Sequence, residues 1–255
     1  MFGFSVLGSL RVHSGDHVVP IPSRRQRVVL AVLLLNSGQT QSVDRIAAAV
    51  WPSEGPKNPE NQIAICVHGI RRKFAGRGMP ESLVRTDPGG YSADVAPDLV
   101  DTGRILALTA TAAELDRAGL VEEAAHRYRQ ALALWRGPLL QGLDVPALAP
   151  ESRWWAEKRV DVVEQLARLE LALGRSREVL SDLTALVAEH PLRENLQRLL
   201  ITALYHSGRR ADALHAYFVA QRDLRAGAGI DPSSELRRLH SDILNDVTPS
   251  VLAVA

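Results

Sequence analysis

The sequence predicts an α+β half over residues 1–97, an all-α half over residues 98–246 and a short tail at 247–255. Three observations predict it. A capped amphipathic helix, NPENQIAICVHGIRRKFA at Asn58–Ala75, is followed closely by the strand–turn–strand pattern LVRTDPGGYSADV at Leu83–Val95. Two shorter helical patterns and a β-rich start precede it. From Asp101 onward the chain is almost all amphipathic helix, stopped at glycine or proline.

The elements follow in order. Phe2–His13 and Val18–Ile21 are β-branched and partly alternating, with a Gly15-Asp16 turn between them. Ser23-Arg24-Arg25-Gln26 is a capping box of the S-x-x-Q type. It opens the run VVLAVLLL at Val28–Leu35, too short to cross a membrane and suited to a buried helix. Asn36-Ser37-Gly38 ends it. Ser42 caps a second helix, Val43–Trp51, with Ile46, Val50 and Trp51 apolar, and Pro52 stops it.

The third helix carries the chemistry. Asn58 is a good N-cap acceptor, Pro59 has its φ already set, and Glu60 places negative charge where the helix dipole favours it. Ile63, Val67, Ile70 and Phe74 form one apolar stripe. At about 100° per residue, the opposite stripe is Asn58, Asn61, Ile65, His68 and Arg72. Gln62 and Gly69 flank it, and Arg71 and Lys73 sit on its shoulders. Asn61, Gln62, His68 and Arg72 are side chains that hydrogen-bond base edges in a DNA major groove. Arg71, Lys73 and Arg77 suit phosphates, and Arg85 near the hairpin turn suits a wing contact with the backbone or minor groove. Arg24 and Arg25, at the start of the first helix, are further phosphate candidates. Gly69 inside a helix costs roughly 1 kcal/mol against alanine, so either its backbone approaches DNA closely or the position has drifted. Taken alone, this helix also fits an ordinary amphipathic surface helix. Three helices and a hairpin in this order make a winged helix-turn-helix. The strand platform before them is the variant seen in OmpR/PhoB-type response regulators.

In the second half, helices are expected at about Thr102–Ala118, Val121–Trp135, Pro150–Leu173, Arg175–Glu189, Leu192–Ser207, Arg209–Ala226 and Pro232–Asp246. Gly174 and Gly208 stand 34 residues apart, the period of a tetratricopeptide helix pair. Ala213, Leu214 and Tyr217 fit such a repeat, whose small residues let paired helices approach. The reading is a tetratricopeptide-like array, a shape that presents a surface to a protein partner.

Charge supports the division. Residues 1–97 hold 11 Lys+Arg and 7 Asp+Glu, a net of +4; residues 98–255 hold 19 and 22, a net of −3. The basic excess lies at Arg71, Arg72, Lys73, Arg77 and Arg85, against Glu81 alone in that span. That is the electrostatic footprint of phosphate binding. The single cysteine, Cys66, excludes an internal disulfide framework and suits a reducing cytoplasm. No signal peptide or membrane span is legible.

Several motifs in series resemble the antibiotic regulatory protein (SARP) family. In the first half they are FSVLGSLRV, SRRQRVVLAVLLLNSGQTQSVDRIAAAVW, the Asn61–Phe74 helix and the Pro88–Tyr91 turn. Ala131–Leu143, Ala188–Leu196, Leu204–Tyr217 and Gly229–Leu244 are similar to that family's bacterial transcriptional activation domain. The resemblance covers about residues 2–246. It implies a pathway-specific transcriptional activator of a secondary-metabolite (antibiotic) gene cluster. It further implies promoter DNA bound as direct repeats near the −35 element by a head-to-tail homodimer, and contact with the sigma or alpha subunit of RNA polymerase. The chain departs from the family pattern at Ala64, where a polar residue is usual, and at Gly69, where an arginine is usual. Those departures put more weight on Asn61, His68 and Arg72.

Competing sites are weaker. Trp154-Trp155 offers a stacking platform but fits a helical core better. Glu123-Ala124-Ala125-His126 matches half of a diiron signature without its second copy. No phosphate-loop, dinucleotide, zincin or hydrolase motif occurs, so no enzyme, cofactor or metal is expected. Two other readings stay open. One is a ligand-gated regulator; the other is a protein-interaction adaptor with a vestigial winged helix.

Overall fold

The computed structural model describes residues 2–247; residues 248–255 of the expected tail lie outside the described residues. The chain divides into two compact units. One comprises Met1–Leu108 with Ala133–Lys158, the other Thr109–Leu132 with Arg159–Ala255. The first is wider than the 1–97 stretch read from sequence, because a later segment returns to it.

In the first unit, β1 (Phe2–Ser5), β2 (Arg11–Ser14) and β3 (His17–Val18) form an antiparallel sheet in sequence order. The expected run Phe2–His13 is therefore two strands, paired from Phe2↔Ser14 to Ser5↔Arg11. The break lies at Gly8, whose φ of +101° excludes most L side chains. There the backbone turns to the later segment: Gly8 N–H donates to the Pro138 carbonyl at 2.9 Å, and Leu140 N–H to the Val6 carbonyl at 2.8 Å.

Helices α1 (Arg24–Leu35), α2 (Val43–Val50) and α3 (Pro59–Ala75) follow, with the two-residue strand β4 (Gln41–Ser42) between α1 and α2. The side chains of Ser23 and Ser42 cap α1 and α2, accepting from Gln26 N–H and Arg45 N–H. The hairpin is β5 (Val84–Asp87) and β6 (Gly90–Ala93), with β6 also pairing with β4. Gly89 supplies the positive φ of its turn. At Gly90 a Cβ would stand 2.0 Å from the Gln41 carbonyl oxygen, so only glycine permits the β4–β6 approach.

Asp101 opens α4 (Asp101–Arg117) and is 5% exposed. Its carboxylate accepts from Val6 N–H, Leu7 N–H and Thr102 N–H at 2.9–3.0 Å. Arg136 lies 3.7 Å away. Burial pushes this carboxyl up, and the three N–H donors and Arg136 oppose that shift.

Every regular element among the second unit's described residues is a helix. The unit holds the end of α4 from Thr109, α5 (Val121–Leu132), the later part of α6 (Ala149–Ala172), α7 (Ser176–Glu189), α8 (Glu194–His206), α9 (Arg210–Ala228) and α10 (Ser234–Leu244). The helix expected to reach Trp135 stops at Leu132, where the chain leaves for the first unit. Leu183, Leu196 and Ile243 are fully buried, and Ala203, Ala213 and Ala220 let α8 and α9 approach closely. Buried carboxylates are paired: Glu164 accepts from Arg193 Nε at 2.8 Å, and Glu170 meets Arg129.

Candidate nucleic-acid interface

Helix α3 is fixed from several sides. The Asn58 side chain accepts from Asn61 N–H at 3.0 Å, with Pro59 at the first helical position. Ile63, Val67, Ile70 and Phe74 are buried, and α3 packs on α1 and α2. The Phe74 ring meets Phe4 of β1 edge to face, centroids 6.0 Å apart, so the first sheet supports the helix as well. With that face taken, Asn61, Ile65, His68 and Arg72 are exposed, and Gln62 and Lys73 are partly exposed beside them. No acidic residue occurs between Asn61 and Gly76.

The basic residues divide by what they already hold. Among the described residues, Arg72, Lys73 and Arg77 enter no ion pair. Arg71 is different: its Nε donates to the Val84 carbonyl and its Nη2 to Thr86 Oγ1, both at 2.8 Å. Two of its donors tie α3 to β5, two of the five N–H groups a guanidinium carries. Arg85 pairs with Asp94 at 3.3 Å with both side chains exposed, a contact worth at most about 1 kcal/mol. A phosphate displaces such a partner easily. Arg24 donates to the Asp144 carbonyl, and the Arg25 guanidinium lies 5.6 Å over the Trp51 ring. Asp87, beside the hairpin turn, is held below the usual carboxylate range by the nearby hydroxyls of Ser92 and Thr40, of which Thr40 donates to it at 2.9 Å.

Gly69 has a structural reason that spacing alone does not reveal. A Cβ there would stand 2.2 Å from Gln26 Nε2 of α1. The Ser half of the capping box forms, whereas the Gln26 side chain lies against Gly69 and its Oε1 is buried without a hydrogen-bond partner among the described residues. The close approach is thus to a neighbouring helix. Gly69→Ala is expected to gain little stability in the native background because Gln26 must move. In a Gln26→Ala background the same change should stabilise by roughly 1 kcal/mol, read by chemical denaturation.

Of the other candidates, Trp155 and Cys66 are buried and Trp154 is not. Trp155 is 6% exposed and meets Trp135 and Trp154 edge to face, while Trp154 is half exposed. Burial pushes the Cys66 thiol up, against the influence of Arg25. Among the described residues, no His, Cys, Asp and Glu group could hold a metal ion, and no helix is long and apolar enough to cross a membrane.

A helical half that follows a three-helix, hairpin-bearing half along the chain matches known regulators of transcription. Residues 100–244 match the bacterial transcriptional activator domain. The transcriptional regulatory protein EmbR of Mycobacterium tuberculosis is 35% identical over 243 residues, covering 94% of this chain and 63% of EmbR. The regulatory protein DnrI of Streptomyces peucetius is 32% identical, with 94% and 91% covered. The regulatory protein AfsR of Streptomyces coelicolor is 34% identical, with 94% and 24% covered. The solved structure of M. tuberculosis EmbR in complex with a low-affinity phosphopeptide superposes with a TM-score of 0.91 at 33% identity, covering 98% of this chain and 66% of that one. The chain thus spans about two thirds of EmbR's length and a quarter of AfsR's. It belongs to the SARP family, and the relatives it matches carry the names of transcription regulators.

Proposed function

We propose that this chain is a sequence-specific DNA-binding transcriptional activator for a secondary-metabolite gene cluster, acting in the cytoplasm. The carrying observation is the exposed stripe Asn61–His68–Arg72 on a helix whose opposite face is fully packed. In this reading the first unit is a winged helix of the OmpR/PhoB type, and α3 enters the major groove. Asn61, Gln62, His68 and Arg72 read base edges. Lys73 and Arg77 hold phosphates, with Arg24 and Arg25 supporting at the first helix. Arg71 both braces the wing and reaches the backbone with its remaining donors, while Arg85 makes the wing contact. The tetratricopeptide-like second unit engages the sigma or alpha subunit of RNA polymerase. The regulator names of EmbR, DnrI and AfsR support this reading, as does the match to an activator domain. Family membership favours a head-to-tail homodimer on direct repeats near the −35 element.

The experiment separates base reading from phosphate holding. Duplexes selected by the full chain from a random pool are compared with unselected duplexes. Arg72→Ala should weaken binding to the selected site by about 1–3 kcal/mol and to unselected DNA much less. Lys73→Ala should weaken both similarly and reduce the salt dependence by about one phosphate's worth. Equal losses on both DNAs from Arg72→Ala would remove the base-reading role.

A further inference from the structure

Ile65 is 56% exposed on α3, although Ile63, Val67, Ile70 and Phe74 on the same helix are buried to 1% exposure or less. It sits in the centre of the outward stripe, with Asn61 one turn before it, His68 one turn after and Arg72 two turns after. Its side chain has no donor or acceptor, and its β-branched stem is stiff at χ1 in a helix. More than half of this isoleucine's surface gains nothing from folding, and that apolar surface is available for a partner. The surrounding face is basic and free of acid from Asn61 to Gly76, which complements a polyanion. On base edges in a major groove, the apolar feature that distinguishes one pair from another is the thymine C5-methyl group.

We infer that Ile65 determines specificity by packing on a thymine methyl group in the bound site. The inference rests on the DNA-binding reading above and deepens it. Asn61, His68 and Arg72 would set hydrogen bonds on either side, and Ile65 would demand thymine at the position between them. A cytosine there loses the methyl contact and sets its exocyclic amine against an apolar side chain.

The test uses the full chain and the duplex it selects from a random pool. Each thymine of that duplex is replaced singly by deoxyuridine, which removes only the methyl group. At one thymine, or its equivalent in a repeated half-site, replacement should weaken native binding about three- to fivefold, the worth of one buried methyl. Ile65→Ala should weaken binding to the thymine duplex by a similar or larger factor, and deoxyuridine at that position should then cost it nothing further. Ile65→Val should keep most of the thymine preference. Deoxyuridine effects identical in the native chain and in Ile65→Ala at every position would overturn the inference while leaving the DNA-binding reading intact. A pool from which no sequence is enriched would overturn both. Ile65 is exposed, so a folding defect is not expected; melting temperatures of the variants check this directly.

Discussion

Asp101→Ala is expected to destabilise the first unit by about 3–5 kcal/mol, a large share of the 5–15 kcal/mol that holds a typical domain. The carboxylate is 5% exposed and serves as acceptor for three backbone N–H groups, those of Val6, Leu7 and Thr102. Truncation leaves these donors buried without an acceptor, at about 1–3 kcal/mol for each that water cannot reach. It also strips Arg136 of its partner at 3.7 Å. Asp101→Asn keeps one carbonyl oxygen but turns an amide N–H₂ toward the same donors, so it should fall between alanine and the native residue. All four tryptophans, Trp51, Trp135, Trp154 and Trp155, lie in this unit. Their fluorescence during urea unfolding therefore reports the first unit separately from the far-ultraviolet helix signal. A change below about 1 kcal/mol would show that the Val6–Leu7 backbone finds other acceptors.

The sign of the acid dependence follows from the same site. Burial raises the folded carboxyl above its unfolded value, so its ionisation works against folding as pH climbs through the raised value. Asp101→Asn should remove that component from the stability curve.

What could be read from the sequence was local. The cap at Asn58 and the stripe Ile63–Val67–Ile70–Phe74 involve residues within a few turns of one helix, and the helix obeys them. The caps at Ser23 and Ser42 were legible for the same reason. What escaped were choices made by distant partners. Gly69 answers to Gln26, and nothing in its own helix says so. Arg71 has the spacing of a phosphate contact, yet it braces the strand that begins at Val84, because the hairpin happens to fold within reach. The 133–158 segment joins the first unit through backbone pairing with Val6 and Gly8, for which helical periodicity has no signal. The outward side chains of α3 were legible as a stripe. The roles proposed for them on DNA depend on a partner that the chain's own contacts do not encode.

The shift of charge and pattern near residue 97 suggests a binding domain that folds by itself, but the structure reverses that expectation: a fragment ending there should not fold, because residues 98–108 and 133–158 belong to the same compact unit. It would lose Asp101 and with it the acceptors for Val6 and Leu7. It would lose the Pro138 carbonyl that accepts from Gly8 and the Leu140 N–H that donates to Val6, leaving the end of β1 unpaired. It would also lose Val100, Ile105, Leu140, Leu143 and Leu148, each under 9% exposed in the intact unit. At about 1.5–3 kcal/mol for each fully buried aliphatic side chain, this burial together with the Asp101 bonds exceeds a typical stability margin. The fragment should show no cooperative melt and no binding to DNA that the full chain selects. The same loss of fold would tilt α3, because Phe74 rests on Phe4 of the strand that has come loose. The proposed recognition residues, far from the cut, would then fail without being touched. A fragment 1–97 that melts cooperatively and binds the selected duplex within about tenfold of the full chain would show that the three helices and hairpin hold themselves together, and that residues 98–158 only extend a complete domain.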